Sequence, residues 1–227
     1  MPNISLEQWI LLFGIISGFL QVLGYTVYIR ESFRKEIDPN PATWLMFSYG
    51  TSLLAILEWD RDASLALLAL PVACAGMSII VAILCWLRGT LRWPRDWESQ
   101  WAIRAFIADV GLTTAYFVAW VLNMSEILAE EGRSIAALVF LIGSNVTTFT
   151  AFTPILQEVY ESPQKERALP WIVWTLAYTT LGVATILESG FWTELLIYPV
   201  CCTFLHGAIA WLARPERRLL RLSRAAK

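Results

Sequence analysis

Apolar runs of about 20 residues recur along the chain, and a run of that length is what a helix rising 1.5 Å per residue needs to cross about 30 Å of hydrocarbon. Seven such runs are read, at residues 9–29, 43–57, 64–87, 101–122, 135–156, 171–187 and 191–212, joined by short polar connections. The first has no basic leader and no small-residue cleavage site after it, so a retained helix is expected rather than a signal peptide. Composition agrees: 57% of residues are hydrophobic and only 16% charged, where a soluble domain carries about 25% charged residues. Disorder needs few apolar residues and high net charge, and duplex binding needs a basic surface; a net charge of −2 on this chain fits neither, so no nucleic-acid partner is expected.

Orientation follows from the 17 basic residues, because cytoplasmic loops collect Lys and Arg. The N-terminus and the second, fourth and sixth loops hold two of them, Arg61 and Arg133, while the first, third and fifth loops and the C-terminal tail hold the other fifteen, counting Arg104 at the start of the fourth run with the third loop. The expectation is an N-terminus outside, a C-terminus inside and a multi-pass protein of a bacterial cytoplasmic membrane. Trp9, Trp59, Trp86, Trp93, Trp120, Trp192 and Trp211 fall near the ends of runs, where an amphipathic ring sits at headgroup level. Trp93, Trp97 and Trp101 recur every four residues and predict an interfacial helix starting near Pro94. In the tail, Arg214, Arg217, Arg218, Arg221 and Arg224 interleave with leucines and predict an anchor on anionic lipid headgroups. Cys74, Cys85, Cys201 and Cys202 lie in apolar stretches without metal-site spacing and read as small packing residues, with no disulfide framework.

The chain also resembles itself. An offset of 127 aligns Ser17 with Ser144, Thr26 with Thr153, Glu31 with Glu158 and Trp44 with Trp171; an offset of 128 aligns Pro71 with Pro199 and Cys74 with Cys202. Two triplets of spans pointing the same way require one span between them. The expected fold is therefore an all-α membrane protein of seven transmembrane helices in a 3+1+3 order, built on two parallel triple-helix repeats. The segments are residues 1–88 (first repeat), 89–133 (interfacial segment and linker helix), 134–213 (second repeat) and 214–227 (basic cytoplasmic tail). In parallel-repeat transporters the substrate site lies where the repeats face each other.

The segments from Tyr25 to Trp44 and from Phe152 to Trp171, with Pro163-Gln164 in the second loop, resemble the two loop-plus-tryptophan repeats of the SWEET, SemiSWEET and wider PQ-loop transporter group. That resemblance covers nearly all of residues 9–212. It implies passive, alternating-access movement of a small neutral solute, often a sugar, with helix-bending prolines in each triplet and an aromatic gate or platform near the start of the second helix. Pro154 and Pro170 stand at suitable places for hinges in the second triplet, whereas Val27 and Thr43 occupy the aligned positions of the first. The sugar-contacting asparagines of that group have no counterpart in the third and seventh runs. Three-helix members of the group pair as dimers, so a fused chain can act alone, with a homo-oligomer as the other arrangement.

Polar groups at mid-bilayer depth are costly unless they face protein or water, which makes them the natural candidates for binding solute. Ser17 and Gln21 share a helix face, as do the aligned Ser144 and Thr148; Cys74 with Ser78 and Cys202 with His206 form a second equivalent pair of stripes. A transporter is expected to show a water-accessible cavity between the triplets lined by Gln21, Ser78, Asn145, Thr148 and His206, with Trp174 one turn into the sixth run as an aromatic face. Trp44 and Trp171 read either as gate rings or as belt residues. Ser and Thr have a plainer role open to them, bonding their own helix backbone. His206, with an ordinary pKa near 6.5, leaves proton coupling open, and a single histidine gives no metal site. Asp109 in the linker run is expected to bond Thr113 or a neighbouring helix. No cofactor is implied. The lysines Lys35, Lys165 and Lys227 lie in loops or tail, so a retinal Schiff base has no partner, and no intramembrane catalytic motif is present, so no enzyme is expected. The competing reading is a non-transporting PQ-loop-type receptor or accessory membrane protein.

Overall fold

The computed structural model describes residues 5–90, 100–124 and 130–214. Every regular element among them is helical: α1 (Leu6–Phe33), α2 (Pro41–Asp60), α3 (Leu65–Leu87), α4 (Gln100–Met124), α5 (Glu130–Ala151), α6 (Thr153–Glu161), α7 (Ala168–Ser189) and α8 (Ile197–Leu212), with 3-10 turns at Pro163–Lys165 and Glu194–Leu196. Four segments, Leu6–Phe33, Leu65–Leu87, Ala168–Ser189 and Glu194–Leu212, are long and apolar enough to cross a membrane, and a shorter apolar stretch, Phe106–Leu122, lies in α4. All seven expected runs fall on helices. α2 and α5 are the more polar ones, because α2 ends in Glu58 and Asp60 and α5 opens on Glu130, Glu131 and Arg133. The interfacial segment with Trp93 and Trp97, and the tail beyond Arg214, lie outside the described residues.

Local chemistry sets where the helices begin and end. Ser5 and Gln8 form a reciprocal capping box at the start of α1; Asn40 accepts from the Thr43 amide at 3.1 Å and precedes Pro41, which needs no amide partner at the first helical position. Gly190 ends α7 at φ 83°, a left-handed conformation that suits a residue without a Cβ. At the fifth run the helix breaks: α5 stops at Ala151, Phe152 turns, and α6 restarts with Pro154 in its first turn. Proline supplies no amide to the preceding turn, which places the expected Pro154 hinge at a real interruption. Pro170 sits in the first turn of α7, where a proline starts a helix and bends nothing. Pro71, inside α3, was not anticipated as a bending site.

In the first half, α3 packs on both α1 and α2; in the second, α8 packs on α7 and on the α5–α6 pair. The halves meet along two joints, α1 against α7 and α2 against α5, while α4 lies chiefly on α5. Close approach needs small residues. A Cβ at Gly14 would stand 2.4 Å from the Ala66 carbonyl oxygen, so α1 and α3 touch backbone to backbone there. Gly14→Ala is expected to push these helices apart and destabilise the fold by about 1–3 kcal/mol, the usual cost of overpacking; thermal unfolding in detergent checks it, and an unchanged Tm would refute the contact.

Interhelical bonds sort the loops into two ends. Residues 34–40 meet 162–167 through the Asp38 amide donating to the Lys165 carbonyl at 2.9 Å, and Arg88, just past α3, donates to Ser32. At the opposite end Arg61 pairs with Glu194, and Ser64 donates to Glu188 at 2.6 Å. The first group carries Arg34, Lys35, Arg88, Lys165 and Arg167 and is called the basic end below. The molecule is apolar outward and polar inward: Phe19, Leu65, Val146 and Phe204 are exposed, while Ser17, Gln21, Ser78, Ser144, Asn145, Thr148 and His206 are buried. Tryptophans divide the same way. The expected belt residues Trp9, Trp59, Trp86, Trp120, Trp192 and Trp211 are all exposed, whereas Trp44, Trp171 and Trp174 are at most 1% exposed.

Candidate functional site

Where the halves meet lies a small, partly open cavity of about 10 Å³, room for about one water molecule. Its walls come from α1, α2 and α3 on one side and from α5, the Phe152 turn, α7 and α8 on the other; α4 contributes nothing. Eight of the wall residues form four pairs at the repeat offsets: Tyr25 with Phe152, Phe47 with Trp174 and Thr51 with Tyr178 at 127, and Cys74 with Cys202 at 128. The repeat thus preserves place more than residue type. Trp44, Thr148, Tyr198 and His206 complete the wall.

The wall is a connected polar network set in aromatic rings. The Tyr178 hydroxyl lies 2.9 Å from that of Tyr198 and 3.4 Å from the Cys74 sulfur, and it accepts from Gln21 Nε2 at 3.5 Å. The Tyr25 hydroxyl approaches Cys74 from α1, also at 3.4 Å. Thr51 donates to the Phe47 carbonyl and Thr148 to the Ser144 carbonyl, each four residues back, so their hydroxyl oxygens face the cavity as acceptors. His206 packs on Tyr178 with ring centroids 4.8 Å apart, and its Nδ1 lies 2.7 Å from the Cys202 carbonyl. A carbonyl only accepts, so Nδ1 carries the hydrogen, and in the neutral ring Nε2 is the free acceptor.

Of the side chains expected around this space, Thr148, His206, Trp174 and Trp44 line it. Gln21 and Ser78 stand one bond behind it, Gln21 through Tyr178 and Ser78 through Thr51 at 3.4 Å. Ser17 donates to the Gly14 carbonyl of its own helix, Asn145 donates to Leu141, and Ser144 lies beneath Thr148. None of these three is in the wall: Ser17 and Ser144 lie one turn along their helices from Gln21 and Thr148, and Asn145 is tied to its own backbone. The wide, water-accessible cavity expected between the halves is also corrected: aromatic rings fill it. Asp109 is buried with its carboxyl against Gly50 of the neighbouring α2, and Thr113 donates to its backbone carbonyl at 2.8 Å. Sequence reasoning passed over Tyr25, Tyr178 and Tyr198; the alignment of Cys74 with Cys202 was the one available signal for this layer.

The basic end is closed by a second network. Trp44 Nε1 donates to the Tyr28 hydroxyl at 3.0 Å, Tyr28 donates to Glu166 Oε1 at 2.9 Å, and Trp171 Nε1 donates to Glu166 Oε2 at 2.9 Å. The aligned tryptophans Trp44 and Trp171 are therefore buried in one network around the Glu166 carboxyl, Trp44 through Tyr28, and are not exposed belt residues. Glu166 is 2% exposed although it belongs to a loop. Burial pushes its carboxyl from the ordinary range up to about 8; the bonds from Trp171 and Tyr28 oppose that rise, and the charges of Glu158 and Glu31 add to it. Beyond this layer lies a recess of about 630 Å³ bordered by Lys35, Asp38, Arg88 and Lys165, and a smaller space of about 20 Å³, sharing Ser32, Asp38 and Arg88 with it, reaches Tyr28. Among the described residues no group of His, Cys, Asp and Glu is arranged to hold a metal ion. No family model, curated relative or solved structure matches the chain.

Proposed function

We propose that the protein is a membrane transporter of SWEET-like design, moving a small neutral solute between two triple-helix units by alternating access. In this reading α1, α2 and α3 form one unit, the α5–α6 pair, α7 and α8 form the other, and α4 is the linker, giving seven spans. The basic end faces the cytoplasm, as in a bacterial inner-membrane protein with its N-terminus outside, and the tail lies on anionic headgroups. The observation that carries the reading is the cavity at the joint, walled by residues paired at the repeat offset. An alternating-access protein holds its solute where its repeats meet. Here the basic end is shut by Glu166 and its partners, and the opposite end is tied by Arg61–Glu194 and Ser64–Glu188. Aromatic faces and hydroxyl acceptors suit a compact solute with an apolar or flat side and hydrogen-bond donors, a sugar among them. A cavity this size holds no hexose, so entry of solute must spread the rings.

Counterflow in proteoliposomes against sugars, amino acids and vitamins tests the reading. Thr51→Val and Thr148→Val remove an acceptor each while keeping shape and are expected to lower uptake about tenfold, in line with about 1–1.5 kcal/mol per lost hydrogen bond. Asn145→Ala, behind the wall, is expected to leave uptake unchanged at equal protein level. Equal uptake in wild type and both threonine variants would refute the pocket. The tightness of the cavity favours a second reading, a non-transporting membrane receptor or accessory subunit, and exchange of no solute in the panel would support it.

A further inference from the structure

We propose that Glu166 is a proton-binding site that latches the basic end, so that opening toward that side is coupled to loss of one proton. The inference rests on the two-unit reading above but not on the identity of any solute. Its basis is geometric. Tyr28 of α1 and Trp171 of α7 each bond one of its oxygens, and Trp44 of α2 is joined to it through Tyr28. The Tyr28–Glu166 bond crosses between the halves, so they cannot part at this end without stripping that donor and wetting the carboxyl, while Trp171 stays with it. The water-sized space beside Tyr28 and the larger recess behind it give protons a short route in from the basic end.

Among the described residues, the charges around the carboxyl come from several elements. Glu31 from α1 and Glu158 from α6 face the site; Glu158 is held by Lys165 at 2.7 Å and by Asn40 at 2.7 Å, and Arg167 lies 3.6 Å from Glu36. With the latch closed, the Glu166 carboxyl titrates at about 8; when opened to water it returns toward the ordinary glutamate value of about 4.3. The closed form therefore binds the proton more tightly. Acid favours closure, the advantage is complete below the ordinary value, and it is lost as pH rises through about 8.

Hydrogen exchange on the full chain in nanodiscs reads this without any solute. The Asp38 amide, which bonds across the closure to Lys165, is the reporter. After correction for intrinsic rate, its protection is expected to fall by about tenfold or more between about pH 6.5 and 8.5 in the wild type. Glu166→Gln, fixed neutral and nearly identical in shape, is expected to stay protected across that range. Tyr28→Phe removes a donor that favours the ionised carboxyl and is expected to shift the midpoint to higher pH. Identical corrected profiles in the wild type and both variants would overturn the latch. A latch that responds as described alongside silent counterflow would leave this site standing while removing the transport reading; solute exchange with flat exchange profiles would do the reverse.

Discussion

Replacing Trp174 by alanine is expected to be the most damaging single truncation in the molecule. The ring is 1% exposed and packs within 4.9 Å of both Tyr25 and Trp171, with Tyr28, Trp44 and His206 around it at 5.5–6.0 Å. Its Nε1 also donates to the Gln21 carbonyl at 3.2 Å, tying α7 to the backbone of α1. Removing a buried tryptophan costs about 3–5 kcal/mol in well-packed proteins. The same change opens the cavity where a solute's flat face would rest. Chemical or thermal unfolding in lipid should show the full loss, and counterflow by the surviving folded fraction should fall at least as far as in the threonine variants. A Tm within experimental error of wild type would mean that the ring cluster does not hold the halves together.

The second large effect is expected from Gly24, directly opposite. A Cβ there would stand 2.4 Å from Trp174 Nε1 and 2.6 Å from its Cδ1, closer than real side chains approach, and the ring is boxed in on every side. Gly24→Leu should therefore force α1 from α7 and cost at least as much as the upper end of ordinary overpacking, about 3 kcal/mol. The decisive form is a double-mutant cycle. If the clash is with this one ring, Gly24→Leu in the Trp174→Ala background should recover about 1–3 kcal/mol by filling the space the indole left, within the range seen for residues in contact. Strict additivity would show that the glycine matters for some other reason.

Much of the architecture was legible because hydrophobic length is a strong signal: the apolar runs read from the sequence fall on helices, the fifth on two, and many of their polar residues are buried. Tryptophan was readable too, once position decided between belt and core. Trp59 and Trp192, at run ends, are 64% and 94% exposed, whereas Trp174, one turn inside, is buried. The cavity wall was less legible. Tyr25, Tyr178 and Tyr198 are amphipathic rings that an apolar helix accommodates anywhere, and their hydroxyls acquire meaning only when the fold brings Tyr25 and Tyr178 to Cys74 and Tyr198 to Tyr178. Pairs such as Thr51 with Tyr178 share a place but no chemistry, so identity counting along the chain passes over them. Glu166 shows the opposite difficulty. A charged residue in a loop between Lys165 and Arg167 reads as solvated, and only the fold reveals that Tyr28 and Trp171 close over it.

The two joints between the halves are unequal. α1 and α7 lie together along a long shared face and are fastened near its middle, by Gly24 against Trp174 and by Trp174 to Gln21, while α2 and α5 share a shorter face. If the proposed transport reading holds, two units joined in this way would swing like a door hung on one post. The α1–α7 edge would act as the post, and the gap would widen first along α2 and α5, where Thr51 and Thr148 stand in the wall. A passenger would then come and go on the side of the threonines, with the tryptophans at its back.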